Sequence, residues 1–347
     1  MSLPDLSFLL DLPANVLRLA ASGLAEVFLS PARFSLASLL SALCVALLFL
    51  GLAHRRRVRP LRLKVLARAV FPRRLCSPSS RVDVGYFAFN GFLFAVLFGW
   101  TVLSYHVVNN ATNELLTFTL GTVRPSVLSE PLAVAIMTVV LFVAYELGYW
   151  IDHYLSHNVA FLWEFHKVHH TAEVLSPLTD FRVHPVDTIV FHNILALVMG
   201  TFGGVACHLL GRPVEPLTIA KSNAIVLLFF FFIGHLQHTH FWIAFTGVWG
   251  RILLSPAHHQ IHHSTNPAHF NKNLGSFLAI WDWLFGTLHV PARSREKLRF
   301  GIEPKAPNVH NLTEGLVGPL VRTLARLRPS TQAGAAPEPD ATTPRRA

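Results

Sequence analysis

The chain has 347 residues, 52% of them hydrophobic and 14% charged, against roughly 25% charged for an ordinary soluble domain. That composition excludes the pair of soluble domains which the length alone would allow. The net charge of +10 is not a nucleic-acid signature, because it gathers beside one apolar run: ten Lys or Arg lie between Arg55 and Arg81.

In chain order, the apolar runs predict an all-α integral membrane bundle of about four or five spans, since a helix needs about 20 apolar residues to cross a ~30 Å hydrocarbon core. Leu36 to Ala53 is uncharged for 18 residues, Val84 to Val108 for 25, and Thr188 to Gly211 for 24. Pro131 to Tyr145 is uncharged for 15 residues before Glu146, and Ser222 to Gly234 for 13. With Lys221 snorkelling to the interface, the last segment either spans from about Pro216 or forms a re-entrant hairpin with its predecessor. Both versions return the chain to the same side. The first thirty residues lack the basic start, apolar core and small-residue cleavage site of a signal peptide. Cys44, Cys76 and Cys207 form no CxxC pair and suit neither a disulfide framework nor a zinc ribbon.

By the positive-inside rule the basic stretch after the first span is cytoplasmic. Asn109 to Glu130, with Arg124 its single basic residue, is then external, and both histidine-rich stretches, Asp152 to His184 and His235 to His269, face the cytoplasm. Three parts follow: residues 1–83 with the first span and basic stretch, a membrane-embedded unit at 84–304 that holds the histidines, and 305–347. In the last part, Thr313 to Arg328 is basic and amphipathic, suited to a membrane surface, and the tail from Pro329 is expected to be disordered.

Sixteen of the twenty histidines fall between His153 and His269. His153 and His157 form an HxxxH, whose members share a helix face. His166, His169 and His170 form an HxxHH, with all three expected on one side. His259, His262 and His263 repeat it, preceded by His258. Between them lie His235, His238 and His240. One histidine on a polar face is usually a structural residue; two HxxHH groups and an HxxxH on one side of a membrane point to metal. Neutral imidazole suits zinc, copper, iron and nickel. Zinc usually takes four ligands, so about ten candidates imply two ions or an octahedral metal. HExxH is absent, as is the ExxH pair of carboxylate-bridged di-iron bundles. A membrane haem held by two of His106, His192 and His208 would leave both HxxHH groups unexplained.

These residues carry a family resemblance. Leu147 to His170, Thr179 to Pro185, Ser255 to Ser264, Asn271 to Gly275 and Trp281 to Thr287 resemble the fatty acid hydroxylase superfamily, which includes sterol desaturases. The likeness runs from about Pro131 to Gly301. It implies a non-haem di-iron centre that uses O2 and two electrons to hydroxylate or desaturate a lipid. Carried over by motif, the ligands are His153, His157, His166, His169, His170, His259, His262 and His263. The middle group departs from the more familiar spacing; His235 and His238, three apart on one helical face, are favoured, with His240 in reserve. His184 before Pro185 is expected to be structural or to support a ligand. Asp152, Glu164, Asp180 and Asp282 are candidates to accept the remaining ring N–H of a ligand.

Breaking an unactivated C–H bond requires an oxidant beyond ordinary side chains, which a metal supplies while the protein gives position and dryness. A metal at the cytoplasmic mouth of a bundle, in an inner or cell membrane, would meet acyl chains or sterols arriving sideways. Phe229 to Phe232 either line such an entry or pack against lipid. The chain has no Rossmann fingerprint, ferredoxin cysteine run or CxxCH, so a separate electron donor, protein or pterin, is implied. The competing readings are a metal transporter or store, which should carry its ligands within the spans, and a haem electron carrier.

Overall fold

The computed structural model describes residues 35–55, 67–68, 70–219, 222–302 and 310–327. The N-terminal stretch, much of the basic stretch, Lys221 and the tail from Pro329 lie outside the described residues. The chain is mostly helical. Its elements are α1 (Leu36–Arg55), α2 (Pro78–Ala88), α3 (Phe94–Phe98), α4 (Tyr105–Leu120), α5 (Glu130–Asn158), α6 (Ala160–His170) and α7 (Pro185–Leu210). There follow α8 (Ala224–Phe229), α9 (His235–Gln237), α10 (Gly247–Ile252), α11 (Pro256–His262), α12 (Ile280–Leu284) and α13 (Leu312–Leu327). A small antiparallel hairpin, Thr218–Ile219 with Ser222–Asn223, precedes α8.

Among the described residues, three segments are long and apolar enough to cross a membrane: Pro78–Leu120, Glu130–Asn158 and Pro185–Leu210. Leu36–Leu52 and Ala224–Gln237 are shorter apolar helices. The second of these, at about 1.5 Å per residue, reaches only about 21 Å.

α5 starts with Pro131 in its first turn, where the missing N–H costs no helical hydrogen bond. Its 29 residues extend about 44 Å, some two turns beyond a ~30 Å core. The last two turns carry His153 and His157. Ala133, Met137, Leu141, Ala144, Gly148, Asp152 and Ser156 recur three or four apart as its buried stripe. The start of that stripe shares a core with Cys207 and Leu210 at the far end of α7, so the two helices are antiparallel.

The Asn109 to Glu130 stretch, expected as an external connection, begins as helix: Asn109 to Leu120 belong to α4, packed along α7. The reason is a close approach at glycine. A Cβ on Gly200 would lie 2.5 Å from Val108 Cβ, and one on Gly204 2.5 Å from the Asn109 carbonyl oxygen. The Asn193 side chain accepts from Leu103 N at 2.9 Å and donates to Thr101 O at 3.1 Å, bridging the short break before α4. Trp100 and Phe118, 83% and 88% exposed, stand on the outer side of this segment.

The start of α2, the end of α5 and the start of α7 meet at one end of the bundle. A fully buried ion pair there, Arg182 to Asp83 at 2.9 Å, ties α2 to the connection between α6 and α7. Arg182 Nε also donates to Thr171 Oγ1, and Asp83 accepts from Thr179. α13 closes over α6, where Arg322 and Arg326 both reach the buried Glu164 carboxylate.

Candidate metal centre

Among the described residues, nine histidines from α5, α6, α11 with its C-cap and the turn after α9 converge at this end, in two groups. His153, His157, His166, His170 and His262 form a group of five; His169, His238, His259 and His263 form a group of four. Within each, one ring nitrogen per residue lies within 4.8 Å of all the others. Every member except His157 is almost fully buried by surface area, and the His157 Nε2 atom is itself inaccessible.

The HxxHH triplets do not each serve one site, as one-sidedness predicts. On a helix, neighbours point about 100° apart and only i and i+4 nearly coincide. From α6, His166 and His170 join the five and His169 joins the four. From α11, His259 and His263 join the four and His262 joins the five. Each helix thus lends its middle histidine to the other helix's group.

The hydrogen bonds fix which nitrogen is available. His153 Nδ1 lies 2.7 Å from Leu274 O and His262 Nδ1 3.0 Å from Lys272 O. A carbonyl only accepts, so both Nδ1 atoms carry the proton and both Nε2 atoms carry a lone pair. His166 Nδ1 lies 3.1 Å from Asp187 Oδ2, with the same consequence. The Nε2 atoms of all five members are buried and have no hydrogen-bond partner. Inward-facing lone pairs without donors are what a cation satisfies. In the group of four, Nε2 atoms face each other: His259 to His238 at 2.8 Å, His263 to His259 at 3.0 Å and His169 to His238 at 3.1 Å. Burial, and after it the neighbouring imidazoles, hold His169, His170, His259 and His263 well below the ordinary histidine range. Burial pushes His262 down to about 3. These rings are neutral at neutral pH, the form that binds metal. The residues therefore fit two ions, and a group of five nitrogens exceeds the usual four of zinc.

The segment 271–278 is the scaffold for His153 and His262. Asn271 and Asn273 adopt left-handed φ of 55° and 57°, which asparagine tolerates better than most side chains. The Asn273 side chain donates to His258 O and His289 O and accepts from His289 N. Asp282, fully buried, accepts from Leu274 N at 2.8 Å, Gly275 N at 2.9 Å and Thr287 Oγ1 at 2.6 Å. Glu146 Oε2 accepts from Phe277 N and Leu278 N at 2.9 and 2.7 Å.

The remaining expected residues fall as follows. His238 reaches the group of four, but His235 lies in neither group; its Nε2 is 3.0 Å from Ser38 Oγ. The expectation of one shared helical face fails because α9 ends at Gln237 and His238 turns away with φ −93° and ψ 50°. His240 lies in neither group; its ring packs at a tilt against Phe241, 4.3 Å between centroids. His184 caps α7 through Val186 N and holds Leu316 O of α13 at 2.9 Å, a structural role.

Of the four candidate carboxylates, Asp180 approaches a ring of the group of four, 3.8 Å from His238 Nδ1. Asp282 acts through the 271–278 backbone, Glu164 is bound to Lys167, Arg322 and Arg326, and the Asp152 Oδ1 atom is buried without a hydrogen-bond partner among the described residues. The carboxylate on a ring N–H is Asp187, which the sequence reading missed, as it did Glu146. For Glu146 the available signal was a carboxylate inside an apolar helix; Asp187, in the first turn of α7, reads as an ordinary helix-start acid. The Phe229 to Phe232 run splits: Phe229 and Phe230 are buried, with Phe229 4.5 Å from Phe277, while Phe232 is 48% exposed.

The profile of the fatty acid hydroxylase family matches residues 138–287. Ornithine lipid hydroxylase OlsE of Rhizobium tropici is 34% identical over 160 residues, 46% of this chain and 44% of that protein. Alkylglycerol monooxygenase of Danio rerio and of Homo sapiens are each 29% identical over 164 residues, 46% of this chain and 32% of theirs. The chain thus aligns with less than half the length of these relatives. No solved structure matches it. The matched region, residues 138–287, contains every histidine of both groups, and it is this region that is similar to the fatty acid hydroxylase family.

Proposed function

We propose that this protein is an O2-dependent lipid hydroxylase with a histidine-ligated di-iron centre. The observation that carries the reading is the pair of all-histidine groups, five and four nitrogens, built without a carboxylate ligand. The names of the relatives, an ornithine lipid hydroxylase and an alkylglycerol monooxygenase, support lipid as the substrate class. Desaturation is the variant of the same chemistry.

Two iron ions, when bound, would supply O2 activation and an oxidant strong enough for an unactivated C–H bond. The chain's own residues do the rest. His153, His157, His166, His170 and His262 would hold one ion, and His169, His238, His259 and His263 the other. Leu274 O, Lys272 O and Asp187 keep the proton on Nδ1 of His153, His262 and His166, so these rings present Nε2 without reorganisation. Burial of the groups keeps bulk water from the reacting centre. Electrons would come from a separate donor. A metal transporter reading gains nothing from the geometry, because the ligands cluster at one end of the bundle instead of marking a path through it.

The segments Leu36–Leu52 and Ala224–Gln237 would complete a bundle of about four or five membrane segments. The basic stretch favours a cytoplasmic centre in an inner or cell membrane. A reporter after Arg74 should then read cytoplasmic and one at Thr122 external; reversed signals would move the centre outside. The functional test is elemental analysis of purified protein together with mass spectrometry of lipids from cells with and without it. About two iron ions per chain and an added oxygen in one lipid class are expected. No metal after iron-replete expression would sink the proposal, and one zinc per chain would favour a non-redox protein.

A further inference from the structure

Between α1 and α9 with the turn after it lies a cavity of about 270 Å³. Its walls are Ala42, Leu43 and Ala46 of α1, Leu236 beside α9's start, and Leu175 from the connection after α6. Two features say what occupies it. First, Leu36, Leu40 and Phe71, all lining it, are 48%, 59% and 71% exposed. An occupant therefore enters across apolar side chains, which favours arrival from hydrocarbon over arrival from water. Second, the wall is shared with the metal centre. His235, Leu236 and Thr239 line it and flank His238 in sequence, and Ser176 and Pro177 begin the turn that brings Asp180 to 3.8 Å from His238. α1 itself lies outside the matched residues 138–287.

We propose that this cavity seats a hydrocarbon chain of a membrane lipid, and that α1 limits the length of chain taken. The Ser38–His235 pair, 3.0 Å apart, sets the polar limit of the wall near the group of four. The inference deepens the lipid-oxidising reading and rests on it only for the identity of the chain's owner.

The test uses full-length protein in membranes and a long-chain fatty acid carrying a diazirine near its methyl end. On irradiation the label should map to α1 and α9 peptides. Ala42→Phe and Ala46→Phe fill the cavity from α1, so labelling should fall severalfold. Each methylene excluded from burial weakens binding about fourfold, and the preferred probe should shorten. Leu43→Ala enlarges the cavity without introducing bulk and should shift preference to longer probes. Metal content monitors folding in each variant. Labelling unchanged in amount and length preference across folded Ala42→Phe, Ala46→Phe and Leu43→Ala variants would overturn the proposal. Labelling needs no turnover. A labelled protein that oxidises no lipid therefore refutes the functional reading and leaves the cavity assignment standing.

Discussion

Removing the Asp282 carboxylate should loosen the metal centre without touching a ligand. In Asp282→Ala, Leu274 N–H, Gly275 N–H and Thr287 O–H lose the acceptor they share. A buried donor left without a partner costs ~1–3 kcal/mol, so the two backbone amides alone predict about 2–6 kcal/mol of lost stability. Leu274 also carries the carbonyl that holds His153, so the five-histidine group should bind its ion roughly 10–100-fold more weakly. Asp282→Asn should fall between. Its amide oxygen can stay on Leu274 N and Thr287 Oγ1, while its NH2 turns to Gly275 N–H, a donor facing a donor. The assay is thermal unfolding and elemental analysis at matched expression, with lipid oxidation read in parallel and His289→Ala as control. The His289 ring stands outside both groups; only its backbone is bound by Asn273. An Asp282→Ala protein with wild-type midpoint and wild-type metal content would refute the reasoning that the 271–278 backbone is a support for His153.

His170→Ala and His263→Ala each remove one nitrogen from a different group; each should lower metal content by about one ion and abolish oxidation, and full iron with full oxidation in both would overturn the ligand assignment. His235→Ala should keep its metal, since Ser38 is its neighbour and no group includes it; loss of iron equal to that of His238→Ala would bring it back as a ligand. Asp187→Asn retains an oxygen for His166 Nδ1 and should be milder than Asp187→Ala, for which metal affinity should drop roughly 10–100-fold; equal effects would count against the hydrogen bond as the cause. In metal-free protein, His169, His170, His259 and His263 have folded-state values lowered from the ordinary 6.5. The unfolded chain therefore takes up more protons below about pH 6.5, and apo stability should be full above that value and decline as pH falls through it; a midpoint flat from about pH 7.5 to 5 would show these rings already protonated or exposed.

Much of this centre was legible because spacing and helix geometry are nearly the same information. HxxxH and HxxHH identified eight ligand candidates, and all eight converge. His235 falls outside both groups: the pattern assumed a helix through His238, and nothing in the local sequence announces that α9 stops at Gln237. The helical course of Asn109 to Leu120 was hidden by its polar residues, which make sense only against the glycine face of α7. Asp187 and Glu146 were missed for a related reason: each serves a partner far away in sequence, His166 and the 277–278 backbone respectively. The exchange of His169 and His262 between groups lay furthest from view, although the 100° step between neighbours on a helix makes it necessary once two sites stand side by side. It also has a consequence for folding. Neither group can be completed by α5 and α6, or by α11, alone. The inward nitrogens can share an ion only after α6 and α11 have packed across one another, so metal affinity includes the free energy of that packing. A change that separates the two helices should therefore weaken both ions together, whichever group it borders.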